Sequence, residues 1–303
     1  MRLLLRPDQI KNPCMSVGFV LILVLTLVLV LVFSGVIKMS FNSHKFGSAD
    51  YEITYCNLEG EGLRMDLFYP SSGGPWPVLL YVHGGGWTEG DKAGVWTDPV
   101  NAGYLVVSIN YRMAPDNLFP AMIQDVKCAI RYLKAHAKTY NLDPQRIALI
   151  GHSAGAHLVA LAGLADERAG WDVGPYLEQS SRVRAVIPIS GPYDLDAMFS
   201  PDVEMLIQNA FEPDQRSIAS PVKYADPDDP PFFIIHGDED SIVPVEQATL
   251  LTEVLHSEGV PVELVVVKNA GHGLEPITGK ISPSGPQIFQ QAVIFLNQSL
   301  ALP

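Results

Sequence analysis

The sequence predicts an α/β protein: a mostly parallel, doubly wound sheet with an antiparallel N-terminal edge, preceded by one transmembrane helix. Three observations carry this. Short apolar runs recur at residues 78–82, 104–109, 147–150, 185–189, 232–235 and 262–267, each near-continuous, as in strands buried on both faces. Helix-period patterns lie between them. Ahead of them, residues 15–37 are almost wholly apolar, and no charge falls between Lys11 and Lys38.

The N-terminal block comes first in the chain. Its 23 residues would rise about 35 Å as a helix, enough for a bilayer core of about 30 Å. Arg2, Arg6 and Lys11 precede it and Lys38 and Lys45 follow, a bias that places the N-terminus in the cytoplasm. The expected organisation is a cytoplasmic N-terminus over 1–14, an anchor over 15–37, a stalk over 38–50 and a globular domain over 51–303. The domain then lies outside the cytoplasm, membrane-anchored through 15–37. The rival reading is a cleaved signal peptide and a secreted protein. A signal's apolar region is shorter, about 7–15 residues, and Phe33-Ser34-Gly35 is a poor cleavage site; in either case the remainder is exported.

Two strands, 51–56 and 63–69, open the domain and form the antiparallel edge. Met122, Val126, Ile130 and Leu133 recur at helical spacing, with Asp125, Arg131, Lys134 and Lys138 on other faces. A second helix follows Gly155, a third spans 245–256 and a fourth 286–300. Pro188 interrupts an apolar run, so that strand is expected to end at Ile187 or to bend there. Residues 192–230, rich in Pro and Asp, read as a cap-like segment.

Composition excludes several classes. Apolar residues make up 48% and charged residues 17%, too apolar for a disordered chain. Residues 46–303 carry 15 basic and 32 acidic side chains, a field that repels nucleic acid and anionic surfaces. Cys14, Cys56 and Cys128 are too few for a stapled scaffold, and neither Cys56 nor Cys128 sits in a spacing that suggests bridging. No His or Cys cluster has metal-ligand spacing, and no cofactor is expected.

The sharpest chemical signal is Gly151-His152-Ser153-Ala154-Gly155, directly after one predicted strand and before a helix. G-x-S-x-G in that context is a nucleophile elbow. Its glycines permit a turn too tight for a Cβ, and the Ala154 N–H at the helix start points where Ser153 would react. His83-Gly84-Gly85-Gly86-Trp87 follows the 78–82 strand. Its glycines leave backbone donors unobstructed, as an oxyanion hole requires. Gly85 and Gly86 are the expected donors, with Gly84 shaping the turn and His83 bracing it; the spacing fits no phosphate-binding loop. A serine nucleophile needs a base and an orienting acid. His272, after the 262–267 strand, is the candidate base. Asp240, after the 232–235 strand, is the candidate acid, with Asp238 as runner-up. Both segments lie at carboxyl ends of strands, where open α/β sheets place their sites. His152 is expected as a neighbour within the elbow, His157 as a helix-face residue and His236 as a brace for the acid loop.

These motifs, with Tyr111-Arg112-Met113-Ala114-Pro115 and Phe119-Pro120, His236-Gly237-Asp238-Glu239-Asp240-Ser241-Ile242-Val243-Pro244 and Gly271-His272-Gly273, resemble the α/β-hydrolase esterases. That grouping spans hormone-sensitive-lipase-like and Bacteroidetes-type feruloyl esterase-like enzymes. The resemblance covers roughly residues 51–300. It implies an α/β-hydrolase fold, with Ser153 as nucleophile, Asp240 as acid, His272 as base, and Gly85, Gly86 and Ala154 as oxyanion donors. Typical hormone-sensitive-lipase-like members have Asp where His152 stands, which tilts the chain toward the feruloyl-esterase-like or arylformamidase-like branch. They also carry an N-terminal helical cap that is replaced here, implying a more open site. The expected activity is hydrolysis of small or aromatic carboxylic esters through an acyl-enzyme. Two alternatives use the same chain differently: an amide or formamide hydrolase with this triad, and a membrane-tethered, non-catalytic interaction protein.

Overall fold

The computed structural model describes residues 47–301, except 59. The expected anchor over 15–37, its cleavable alternative and the stalk up to 46 lie outside the described residues. Among the described residues, no helix is long and apolar enough to cross a membrane.

Eight strands form one sheet in the order β1-β2-β4-β3-β5-β6-β7-β8. β1 (Ser48–Leu58) and β2 (Glu61–Tyr69) pair antiparallel, and β2 meets β4 (Leu105–Ile109) antiparallel. From β4 onward, β3 (Trp76–Val82), β5 (Leu142–His152), β6 (Ala185–Ile189), β7 (Phe232–Gly237) and β8 (Val262–Val267) are all parallel. Both faces of the central strands are covered. Val78, Leu80 and Val82 of β3 and Ile147 and Leu149 of β5 join one core, whereas Leu79, Ala148 and Ile150 join the other. That alternation between two apolar cores is why these strands read as unbroken apolar runs.

Helix α1 (Ala121–Ala135) buries Met122, Val126, Ile130 and Leu133 completely. Its polar residues depart from expectation: Asp125 and Arg131 are buried as well. Asp125 pairs with Arg112 at 2.8 Å, and Arg131 and Lys127 converge on Asp172. The segment bearing Asp172 covers this face, so its charges are paired rather than solvated. α2 (Ala154–Leu164) is apolar on nearly every side and is buried against β3, β5 and β6. α3 (Pro201–Ala210) and a 3₁₀ turn at Pro221–Lys223 lie in the segment 192–230. α4 (Glu246–Ser257) precedes β8, and α5 (Gly285–Ser299) supplies Ile288, Ala292, Phe295 and Leu296 to the second core.

Two sequence expectations are resolved or corrected. β6 continues through Pro188, which lies opposite Gly151. Val186 and Ser190 on either side donate to Pro231 and Ile235 carbonyls, so the missing donor costs one rung of the β6–β7 ladder and the strand survives. Cys56 and Cys128 form a disulfide, contrary to the reading of their spacing. Although 72 residues apart, they are brought to a Cα–Cα distance of 6.5 Å where α1 packs on β1, a proximity that only the tertiary fold creates.

Candidate active site

The chain reverses its direction of travel across the sheet at β3. β4 lies on one side of β3 and β5 on the other, which makes the carboxyl ends of β3 and β5 the topological switch point. The glycine-rich loop leaves β3 there, and the Gly151–Gly155 turn leaves β5.

Ser153 has φ 56° and ψ −121°, a conformation that holds strain in a non-glycine residue. Its N–H donates to Ile189 at 2.9 Å and its carbonyl accepts from His157 at 3.1 Å, so strand and helix fix both ends. The flanking glycines make the turn possible: a Cβ on Gly155 would stand 2.1 Å from the Val82 carbonyl oxygen, and one on Gly151 would stand 2.4 Å from that of Gly155.

The Ser153 hydroxyl donates to His272 Nε2 at 2.9 Å. His272 Nδ1 donates to Asp240 Oδ2 at 2.8 Å. Asp240 Oδ1 accepts the N–H groups of Ile242 and Val243, each at 2.9 Å. Burial alone would raise the Asp240 pKa, but hydrogen bonds from His236, His272 and Val243 outweigh it and hold the carboxyl well below its usual range. Asp238 is exposed and its N–H bonds Val267, so Asp240 is the acid that meets His272.

Gly85 (φ 112°) and Gly86 (φ 58°) turn the loop after β3. Among the described residues, their N–H groups donate to no protein acceptor. Ala154 begins α2, so its N–H is one of the helix's unpaired first donors. The loop is held from behind: His83 Nδ1 lies 2.8 Å from the Gly84 carbonyl, and its ring stacks on Tyr111 at 4.3 Å. The Tyr111 hydroxyl donates to the His83 carbonyl at 3.2 Å, and Ala114 N–H donates to Trp87. Gly84 packs directly against the elbow, where a Cβ would meet the His152 carbonyl oxygen at 2.8 Å.

Two further histidines are structural partners of the site. His152 Nε2 bonds the His272 carbonyl at 2.9 Å; burial, with the His272 ring beside it, pushes its pKa down to about 4. His157 is more than a helix-face residue. Its Nδ1 accepts from Trp87 Nε1 at 3.2 Å and its Nε2 donates to the Ala219 carbonyl at 2.7 Å. One buried ring therefore ties the glycine-rich loop and α2 to the segment 192–230, and burial pushes it to about 4. Its position one turn after Ser153 was the available signal, because that turn of α2 faces inward behind the elbow.

The sheet and this Ser–His–Asp constellation define an α/β-hydrolase. Residues 65–255 match the BD-FAE family, and the chain belongs to it. The probable carboxylic ester hydrolase LipM of Mycobacterium tuberculosis is 39% identical over 57% of this chain and 43% of its own length. The esterase LipC of the same organism is 34% identical over 74% of this chain and 59% of its own. The chain thus spans about half the length of the curated relatives it matches. A truncated carbohydrate esterase from gut microbiota superposes with a TM-score of 0.72 at 26% identity, covering 85% of this chain and 98% of that structure.

Proposed function

We propose that the chain is a serine carboxylesterase acting on small or aromatic carboxylic esters through an acyl-enzyme. The observation that carries this is the continuous relay Ser153–His272–Asp240, with links of 2.9 and 2.8 Å. Asp240 accepts from Nδ1–H, so Nε2 is left unprotonated and able to take the serine proton. Ser153 Oγ attacks the ester carbonyl carbon as its proton passes to His272. The N–H groups of Gly85, Gly86 and Ala154 receive the oxyanion. His272 then returns the proton to the departing alkoxide. Water, deprotonated by His272, attacks the acyl-enzyme, and His272 returns that proton to Ser153 Oγ as the acid is released. The relatives named as ester hydrolases favour this reading over an amide bond, and the intact relay favours it over a non-catalytic scaffold.

The segment 192–230 serves as a cap. Leu206 of α3 lies over Gly86, where a Cβ would stand 2.8 Å from its Cδ1, and Phe211 packs on Trp87 at 4.9 Å. An aliphatic side chain above an oxyanion donor suits a neutral ester of limited bulk. We place this domain outside the cytoplasm, anchored through 15–37 or released after cleavage there; the Cys56–Cys128 disulfide supports an oxidising compartment. The test is hydrolysis of p-nitrophenyl esters from acetate to palmitate, and of a feruloyl ester, by the full-length chain. Turnover greatest on short or feruloyl esters supports the reading. Silence on all esters with turnover of a matched anilide overturns it.

A further inference from the structure

The acid of the relay has a second imidazole on it. His236, in β7, is fully buried, with its Nε2 3.1 Å from Asp240 Oδ2 and 2.9 Å from the Val243 carbonyl oxygen. That carboxylate and that carbonyl can only accept, so the proton of a neutral His236 ring must reside on Nε2, hydrogen-bonded to Val243 and beside Asp240 Oδ2. The oxygen it reaches is the one that also holds His272 Nδ1. Asp240 therefore receives two backbone N–H groups on Oδ1 and the His272 Nδ1–H on Oδ2, with His236 Nε2 3.1 Å from that same oxygen.

A brace for the acid loop would need only the bond to Val243. On the opposite side of the ring, His236 Nδ1 is buried without a hydrogen-bond partner. Ser190, which follows β6 and donates its N–H to Ile235, has an equally unpartnered buried hydroxyl. The polar contact of His236 thus lies on the Asp240–Val243 side of the ring.

We infer that His236 is a positioning residue of the triad, whose Nε2–H takes up part of the Asp240 charge and thereby limits how strongly Asp240 raises the basicity of His272. The inference rests on the esterase reading above. Two donors compete for one oxygen; removing the His236 donor leaves a more concentrated negative charge facing His272 Nδ1, which favours the imidazolium. Two titratable neighbours of the pair stay neutral across the neutral range. His152, against His272, is neutral because burial lowers it to about 4. Tyr193, on the segment following β6, is neutral because burial raises it far above its usual value. Asp238 and Glu239 belong to the acid loop itself, and Ser153 and Ser190 are uncharged. The acidic limb of the rate profile therefore reports the Asp240–His272 pair.

The experiment compares His236→Phe, His236→Asn and His236→Gln with wild type in the full-length chain. kcat/KM for p-nitrophenyl acetate is measured against pH and normalised to the fraction of Ser153 titrated by a fluorophosphonate. Phe has no donor, and Asn is too short to bring its amide to Oδ2, whereas the Gln amide reaches the position of Nε2. We expect the acidic-limb pKa to rise by about half a unit or more in the Phe and Asn variants and to return toward wild type in Gln. The normalisation removes losses due to unfolded molecules, and Asn serves where Phe does not fold. An acidic limb unmoved in Phe and Asn, with only the titrated fraction reduced, overturns the inference and leaves a loop brace. A Gln variant that behaves as Phe does overturns it equally. A wild-type chain that is neither labelled nor active would instead overturn the esterase reading beneath it.

Discussion

His157→Gln tests whether the ring joining the glycine-rich loop to the segment 192–230 is held neutral. The folded pKa of His157 is about 4 against an ordinary 6.5, with burial as the main cause. Between those values the unfolded chain binds a proton that the folded chain refuses. The stability this ring contributes is therefore complete above pH 6.5 and lost as pH falls toward 4. At pH 5 the loss is about 2 kcal/mol, and at pH 7.5 it is about zero. Glutamine does not titrate, so the variant lacks this loss. It also leaves the Trp87 indole N–H without the His157 acceptor, costing about 1–2 kcal/mol at every pH. Asp229, pushed up to about 6 mainly by burial, works in the opposite direction, but it is present in both proteins and cancels in the comparison. Urea unfolding followed by tryptophan fluorescence at pH 7.5 and 5.0 gives the four stabilities. Wild type should lose about 2 kcal/mol more than the variant between the two pH values. Equal losses, within about 0.5 kcal/mol, would refute the neutral, buried His157.

Other perturbations probe other links. Asp240→Asn, which removes the carboxylate that fixes the His272 tautomer, should lower kcat by about 10⁴-fold while Ser153 remains folded in place; a loss under about tenfold would point to another acid. Reducing the Cys56–Cys128 bridge should lower unfolding stability by about 3–4 kcal/mol, seen as a lower urea midpoint in reductant, and an unchanged midpoint would mean that the thiols are not joined. Leu206→Ala should open space above Gly86 and shift the preferred acyl chain to greater length; an unchanged chain-length profile would remove Leu206 from the substrate's path.

The strand pattern was legible because both sheet faces are buried, so 78–82, 147–150 and 232–235 show no polar interruption. Ser153, Asp240 and His272 were legible because each lies in a short motif just after a strand, and the parallel sheet carries those strand ends to one edge. What stayed hidden depends on contacts between distant residues. Cys56 and Cys128 meet only when α1 docks on β1, and no local spacing records that event. Asp125 and Arg131 read as ordinary polar helix positions until Arg112 and Asp172 are seen to pair with them. His157 read as a helix-face residue because its partners, Trp87 and Ala219, come from segments 70 residues before it and 62 after it. Pro188 was ambiguous because only the pairing on either side shows that one lost rung is tolerated.

The most direct test is covalent labelling of the full-length chain with a fluorophosphonate, located by peptide mass mapping. A single adduct on Ser153, a parallel loss of p-nitrophenyl acetate hydrolysis, and a Ser153→Ala protein that is unlabelled and about 10⁴-fold slower are the predicted results. A label on another residue, or a Ser153→Ala protein that retains full activity, would contradict the account.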